Sequence, residues 1–457
     1  MLPLDIAGSL WALTGLDPTA LASLSLVGSE PVLPSSFRVD AAAQASIGAA
    51  GLAAAEVWRC RTGVGQGVSV DIRHAAVEFR SERHVRVAGE TPREAWDAIA
   101  GAYRCGDGRW VRLHTNFPHH RAGVLRLLGC EGTCEAVAAS LQAWPAEVFE
   151  TAATEAGMCV AAMRSFAEWD AHPHGRTPAD TAALVIERIG DAKPVSFRGE
   201  PVRPLSGVRV LELTRVIAGP VAGRTLAAHG AEVLHVTGPG VPNLPGLIRD
   251  TGRGKRAAEL DLRGESGRAA LRGLVAGADV FLQSYRAGAL AAHGFSPAAV
   301  AALRPGIVVA SLSAYGEVGP WGGKRGFDSL VQTATGFNEA EGRAAGEDGP
   351  RALPCQALDH ASGYLLALGV MAALLRREAE GGSWLVRVSL AGTGRWLRGL
   401  GRLAEGLAVA EPANADEFTE VSGGVTAVRH AARLAATPAF WAHPAHELGS
   451  DRVAWEG

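Results

Sequence analysis

The segment Val208–Val236 leaves little freedom of fold. VRVLEL is an apolar, strand-length run, TRVIAGPVAG is a turn containing Gly and Pro, Thr225–His229 belongs to a helix, and EVLHV is a second buried strand. Two strands joined through a helix pair in parallel and need helices over both faces. The alternation continues, with a helix at Gly264–Ala276 before a strand at Asp279–Leu282 and a helix near Pro297–Leu303 before Ile307–Leu312. An open, parallel α/β sheet follows, with ligands expected at the carboxyl ends of its strands.

Upstream, Lys193–Ser206 (KPVSFRGEPVRPLS) is polar, holds three prolines and lacks helical periodicity, which marks a linker. Downstream, Asp359–Arg377 is helical, with Leu366, Val370, Ala373 and Leu374 on one apolar face, and Val386–Leu390 reads as a strand. An earlier stretch repeats this arrangement. Val39–Ile72 lies over Leu358–Leu390 with Gly51 opposite Gly369 and Val70 opposite Val388. In that register Ala41 stands where the later segment has Asp359, and Asp40 comes one residue early. One residue turns a helical side chain by about 100°, so the first copy is expected to be structural.

Between the copies, Tyr103–His114 looks like a hairpin turning at Gly106–Gly108, followed by helices from Arg121 to Gly157 and a strand at Met158–Met163. The expected organisation is a partial, non-catalytic repeat over 1–94 and a small α+β domain over 95–192, then the linker over 193–206. A Rossmann-like domain over 207–395 and an extended tail over 396–457 complete it. The tail (VTAVRHAARL, PAFWAHPAHELGSDRVAW) is expected to lie across another surface, in the manner of tails that embrace a partner.

Composition removes several classes of function. The 457 residues carry a formal charge of −3, without the basic excess that steers a chain to nucleic acid or anionic membrane. Phosphate contacts must therefore be local. Of the six cysteines only Cys130 and Cys134 lie close together, with no partner set for zinc, so reduced and mostly buried thiols are expected. The first residues lack the positive start of a signal peptide, and the apolar runs Ala41–Ala55 and Ala361–Leu375 are short for a bilayer. A cytoplasmic setting is expected.

The turn Thr214–Gly223 could present backbone N–H groups to a phosphate, but it is not GxGxxG, and Thr237 and Gly238 stand where a dinucleotide fold needs an acid. Two basic loops, Gly252–Arg256 (GRGKR, with Arg253, Lys255 and Arg256) and the one carrying Lys324 and Arg325, point to a polyphosphate ligand. Asp359 opens an apolar helix, where a plain N-cap and a nucleophilic carboxylate are both open readings. His114, His119, His120, His172 and His174 read as surface loop histidines rather than metal ligands. No GxSxG or HExxH occurs.

Six ordered motifs over Gly207–Leu375 resemble the class III CoA-transferase, or CaiB–BaiF, family. They are GVRVLELTRVIAGPVAGRTLAAHGAEVLHV, GRGKRAAELDL, ADVFLQSYRAGAL, GFSPAAVAALRPGIVVASLSAYGEVGP, GGKRGFDSLVQTATG and ALDHASGYLLALGVMAAL. Weaker similarity covers Leu33–Arg86 and Tyr103–His174, and VRHAARLAATPAFWAHPAHELGSD resembles the family's closing tail.

The resemblance implies transfer of CoA from an acyl-CoA to a carboxylic acid, with Asp359 as the nucleophile and a covalent aspartyl intermediate. It implies CoA as co-substrate and no tightly bound cofactor or metal. The CoA contacts it carries over are Val216, Ala218, Ser284, Tyr285 and Arg325. The chain departs from the family at Thr237–Pro239 and Ala292, with Arg253, Lys255, Arg256 and Arg286 as the candidate substitutes there. A racemase branch uses a GHD motif where this chain has Gly326–Phe327–Asp328, and Phe cannot exchange a proton. An acyl-CoA racemase or epimerase and a non-catalytic CoA-ester binding protein are the alternatives. The resemblance implies the family's intertwined homodimer; the unusual order of parts and the internal duplication make a pseudo-dimeric single chain, its first half replacing what a partner subunit supplies, the alternative.

Overall fold

The computed structural model describes residues 2–90, 96–177, 182–412 and 414–456. The first region runs α1 (Pro3–Ala12), β1 (Leu24–Val27), α2 (Val39–Thr62), β2 (Val68–Asp71), α3 (Ile72–Glu78) and β3 (Arg86–Val87). Next come β4 (Gly101–Arg104), β5 (Trp110–Leu113), α4 (Pro118–Leu128), α5 (Cys134–Leu141), α6 (Ala146–Glu155), β6 (Val160–Ala162) and α7 (Phe166–Ala171), then β7 (Val185–Gly190). The α/β region holds β8 (Arg209–Leu213), α8 (Ala218–Ala228), β9 (Glu232–Thr237), α9 (Pro245–Thr251), β10 (Lys255–Glu259), α10 (Glu265–Gly277) and β11 (Val280–Gln283). It continues through α11 (Pro297–Leu303), β12 (Val308–Ser313), α12 (Asp328–Ala334), α13 (Phe337–Ala345), α14 (Ala357–Glu380), β13 (Ser383–Ser389) and α15 (Leu390–Gly399). The tail adds β14 (Thr419–Ser422), β15 (Val425–Val428) and β16 (Arg433–Leu434).

Seven strands form the main sheet in the order β10-β9-β8-β11-β12-β13-β7. The first six are parallel, and β7 runs antiparallel to β13. The fold is thus the mixed α/β architecture that the alternating strands and helices require. One boundary differs from the sequence reading. The small domain is the sheet β4-β5-β6 with α4, α5 and α6, while β7, inside the expected 95–192 unit, has joined the main sheet. A strand with nothing to pair beyond the small sheet finds its hydrogen bonds on the free edge of β13.

The two segments laid over one another in the sequence have matching geometry. Helices α2 and α14 are each 24 residues long and end at Gly63 (φ 76°) and Gly381 (φ 70°), in the positive-φ region that favours glycine. A Cβ on Gly51 would crowd Val68 of β2 at 3.1 Å, and one on Gly369 would crowd Val386 of β13 at 2.5 Å, so each helix meets its own strand at a glycine. Strand β2 is parallel to β1 and antiparallel to β16, just as β13 is parallel to β12 and antiparallel to β7. The antiparallel partner comes from the other half in both cases. Asp71 and Ser389 cap the following helices, α3 and α15.

Helix α14 is the one helix among the described residues long and apolar enough to cross a membrane, yet its most apolar window is 94% buried. It lies in the main core with α2 and α8. The tail does not reach away from the chain. Strand β15 pairs with β3, and β16 with β2. Trp441 lies 3.8 Å from the Arg253 guanidinium, and Asp451 exchanges hydrogen bonds with Ala257 on the edge strand β10. All six cysteines are free; Cys105, Cys159 and Cys355 are buried, and Cys60 and Cys134 are exposed.

Candidate active site

A cleft of about 360 Å³ opens at the carboxyl ends of β8, β11, β12 and β13. Its walls are the segments that leave those strands: Arg215–Ala218, Ser284–Ala287, Leu312–Ala314 and Leu390. Lys324, Arg325 and Phe327 come from the Gly-rich loop, and Phe117, His119, His120 and Cys159 from the small domain. Asp359 stands in the same cleft. The structure therefore brings together Asp359, Val216, Ala218, Ser284, Tyr285, Arg286 and Arg325.

Asp359 is the third residue of α14, which buries nearly its whole length and so cannot tilt its first turn away. Four residues on, Gly363 lets α8 approach so closely that a Cβ there would sit 2.7 Å from the carbonyl oxygen of Ala218. Asp359 is brought against the Val216–Ala218 turn by this missing side chain. The helix's first-turn donors are taken by another acid. The Asp328 carboxylate accepts N–H bonds from Leu358 at 2.8 Å and Asp359 at 2.9 Å, and Gln332 donates to its second oxygen. The Asp359 carboxyl has no hydrogen-bond partner among the described residues and is 7% exposed.

Burial, then the Asp328 and Glu82 carboxylates, push the Asp359 carboxyl well above the ordinary carboxylate range. Burial pushes Asp328 up to about 6, although its backbone and Gln332 hydrogen bonds pull the other way. Two acids with one desolvated environment thus differ in what they touch. Asp328 is spent on the backbone, and the Asp359 oxygens are left unbonded among the described residues.

The Val216 turn is strained. Its φ of 71° is a conformation a β-branched residue rarely adopts, and such strain persists only where the surroundings hold it. Beneath it the Thr214 hydroxyl donates to Glu212 at 2.6 Å, and Ser284 Oγ accepts the Arg215 N–H at 3.3 Å. Lys255, expected at a phosphate, is instead 2% exposed; its ammonium meets Glu212 at 2.8 Å and the Pro220 carbonyl at 2.8 Å. It braces the turn from inside.

The rest of GRGKR is likewise engaged, because β10 begins at the edge of the sheet opposite the cleft. Arg253 is buried, paired with Asp250 at 2.9 Å. Arg256 pairs with Glu232 at 3.4 Å and Glu456 at 3.3 Å under the tail. Neither lines the cleft, so these three cations do not replace the missing family contacts. Lys324 reaches the cleft but is tied to Glu150 at 2.9 Å and lies over the Trp321 ring at 3.5 Å.

The histidines also differ from the surface reading. His114, His120 and His174 are buried, and only His119 of that set is exposed. His114 stacks on Phe327 with ring centres 3.7 Å apart and planes 3° from parallel, and burial pulls its imidazole down to about 3. Among the described residues no group of His, Cys, Asp and Glu is arranged to hold a metal ion. Arg215 is the cleft residue that sequence reading passes over. In TRVIAG the backbone of the turn draws attention first, yet a cation directly after a strand's carboxyl end is itself a signal.

A sequence model of CoA-transferase family III matches residues 10–183 and 205–451. A probable fatty acyl-CoA transferase of Mycobacterium tuberculosis is 36% identical over 203 residues, 42% of this chain and 51% of that protein. An acyl-CoA transferase of Gibberella moniliformis is 27% identical over 421 residues, 82% of this chain and 73% of that one. A succinate–glutarate CoA-transferase of Agrobacterium fabrum is 34% identical over 198 residues, 39% and 49% of the two chains. The chain spans about half the length of the first and third of these relatives.

Proposed function

The chain belongs to CoA-transferase family III, and from that premise we propose that it moves CoA from an acyl-CoA thioester to a carboxylic acid through covalent intermediates on Asp359. The observation that carries the proposal is the unengaged Asp359 carboxyl, opening onto a cleft shared with a strained turn and arginines free of carboxylates.

In the first step an Asp359 oxygen adds to the thioester carbonyl and the carbon–sulfur bond breaks, giving a mixed anhydride and CoA thiolate. The thiolate then attacks the aspartyl carbonyl, releasing the donor acid and leaving an aspartyl thioester. An acceptor carboxylate attacks that thioester, thiolate leaves, and its return to the acyl carbonyl of the second anhydride yields the new acyl-CoA and free Asp359. No net proton is consumed. Burial favours the reaction by stripping water from the attacking anion, and Asp328 keeps the anion unsatisfied by taking the helix-end donors itself. Val216, Ala218, Ser284, Tyr285, Arg286 and Arg325 line the path for CoA, which enters as substrate and stays as no resident cofactor.

Phe327, held flat against His114, offers no base for α-proton exchange. The strands exchanged between the halves support a single-chain unit over a homodimer, since each half's sheet edge is completed inside the chain. A cytoplasmic setting, where the free cysteines stay reduced, completes the proposal.

Trapping tests it. Protein incubated with acyl-CoA and then hydroxylamine is expected to carry a hydroxamate on the peptide containing Asp359, read by mass spectrometry. Turnover with that peptide unmodified would remove Asp359 from the nucleophile's place, and CoA binding without turnover would leave a binding protein.

A further inference from the structure

We propose that the first half of the chain supplies a diphosphate-binding wall to the cleft: His119, on the uncapped first turn of α4, joins Arg215 and Arg325 in holding the diphosphate of CoA. The inference rests on the transferase reading and deepens it, by giving the small domain a part in substrate binding.

Arg253, Lys255, Arg256 and Lys324 each meet a carboxylate. Arg215, Arg286 and Arg325 meet none among the described residues. The Arg215 guanidinium donates to the Pro242 carbonyl and lies 4.9 Å from the Phe117 ring centre. Arg325 donates to the Gly157 carbonyl at 3.1 Å and lies 3.2 Å from His120 Nε2. Carbonyls, an aromatic face and an imidazole orient these cations without neutralising them. Positive charges gathered in a half-buried cleft repel one another, and an entering anion relieves that repulsion.

The small domain adds to the same field. Helix α4 starts after Phe117 with no side-chain cap, and Pro118 in its first position has no N–H. The positive end of an 11-residue helix therefore meets the cleft at His119, beside the two arginines. Both neighbouring imidazoles register the crowding. Burial first, then Arg325 and Arg215, lower His119; burial, then His119 and the same arginines, lower His120 to about 4. An anion bearing two charges on adjacent groups matches two guanidinium forks and a helix end, which is the chemistry of a diphosphate. The second carboxylate of a dicarboxylic acid would feel the same attraction, and the test separates the two.

Calorimetry with CoA, 3′-dephospho-CoA and pantetheine needs no turnover. For His119→Ala and for Arg215→Gln, binding of CoA and of 3′-dephospho-CoA is expected to weaken about 10- to 100-fold, as for lost hydrogen bonds to a charged group, with pantetheine unchanged. The KM for acyl-CoA should rise in parallel, and that for the acid should not. His119 is exposed, so its truncation does not threaten the fold. Equal weakening for pantetheine, undiminished CoA binding, or an effect confined to the KM of a dicarboxylic acid would each overturn the proposal. A chain that binds CoA through His119 without transferring it would break the transferase reading alone.

Discussion

Helices α2 and α14 share length, C-cap, strand contact and the cap of the helix that follows, yet only one of them presents an acid to a cleft. The difference lies in a single position. Asp40, second in α2, is 2% exposed and turns back to accept N–H bonds from Val32 at 2.7 Å and Leu33 at 3.2 Å. Asp359, third in α14, makes no such bond to an upstream loop, and the N–H groups of its own helix end go to Asp328. Both carboxyls are pushed upward by burial, Asp40 to about 6. Desolvation alone therefore does not mark a reactive acid. What separates the two is whether the backbone has already claimed the oxygens.

That comparison can be broken most directly by removing each acid. Asp359→Ala is expected to lower kcat about a thousandfold or more, roughly 4 kcal/mol of barrier, whereas Asp40→Ala should leave kcat within about twofold and cost about 1–3 kcal/mol of stability in urea unfolding. Equal losses of activity would give the first half a chemical part. Moving the acid into the reactive register of the first copy, with Ala41→Asp, should cost about 3 kcal/mol or more, because Ala41 is 1% exposed and no cleft receives the charge. Unchanged stability would mean that the first copy retains room for a site.

Asp328→Asn sharpens the electrostatic half of the comparison. A negative neighbour holds the proton on Asp359, so removing that charge lowers the proton affinity of Asp359 and moves the acid limb of the kcat profile to lower pH. An unmoved limb would deny the coupling. The smallest effect is expected at Val216→Gly, which should gain about 1 kcal/mol by relieving the positive φ while raising the KM for acyl-CoA, since the turn loses its fixed shape. Both changes can be read from one preparation.

The parallel sheet is legible because each strand and helix announces itself locally, by run length, turn residues and apolar period. The register of the two long helices is legible too, since Gly51 and Gly369 fall at the same step. Interactions at long range are not. Arg253, Lys255 and Arg256 look like a phosphate loop until Asp250, Glu212 and Glu232 come into contact, and a pairing such as Lys255 with Glu212 follows only from strand order. His114 reads as a surface residue because the ring that covers it, Phe327, is far along the chain. The placing of β7 in the main sheet is hidden for a similar reason: its partner, β13, arrives nearly two hundred residues later.

Strands β7 and β16 each complete the other half's sheet, and this reciprocal trade sets the concentration regime of those two sheet edges. Two separate subunits that clasped one another this way would part on sufficient dilution. Tethered in one polypeptide, the clasp is governed by loop closure alone and persists down to single molecules.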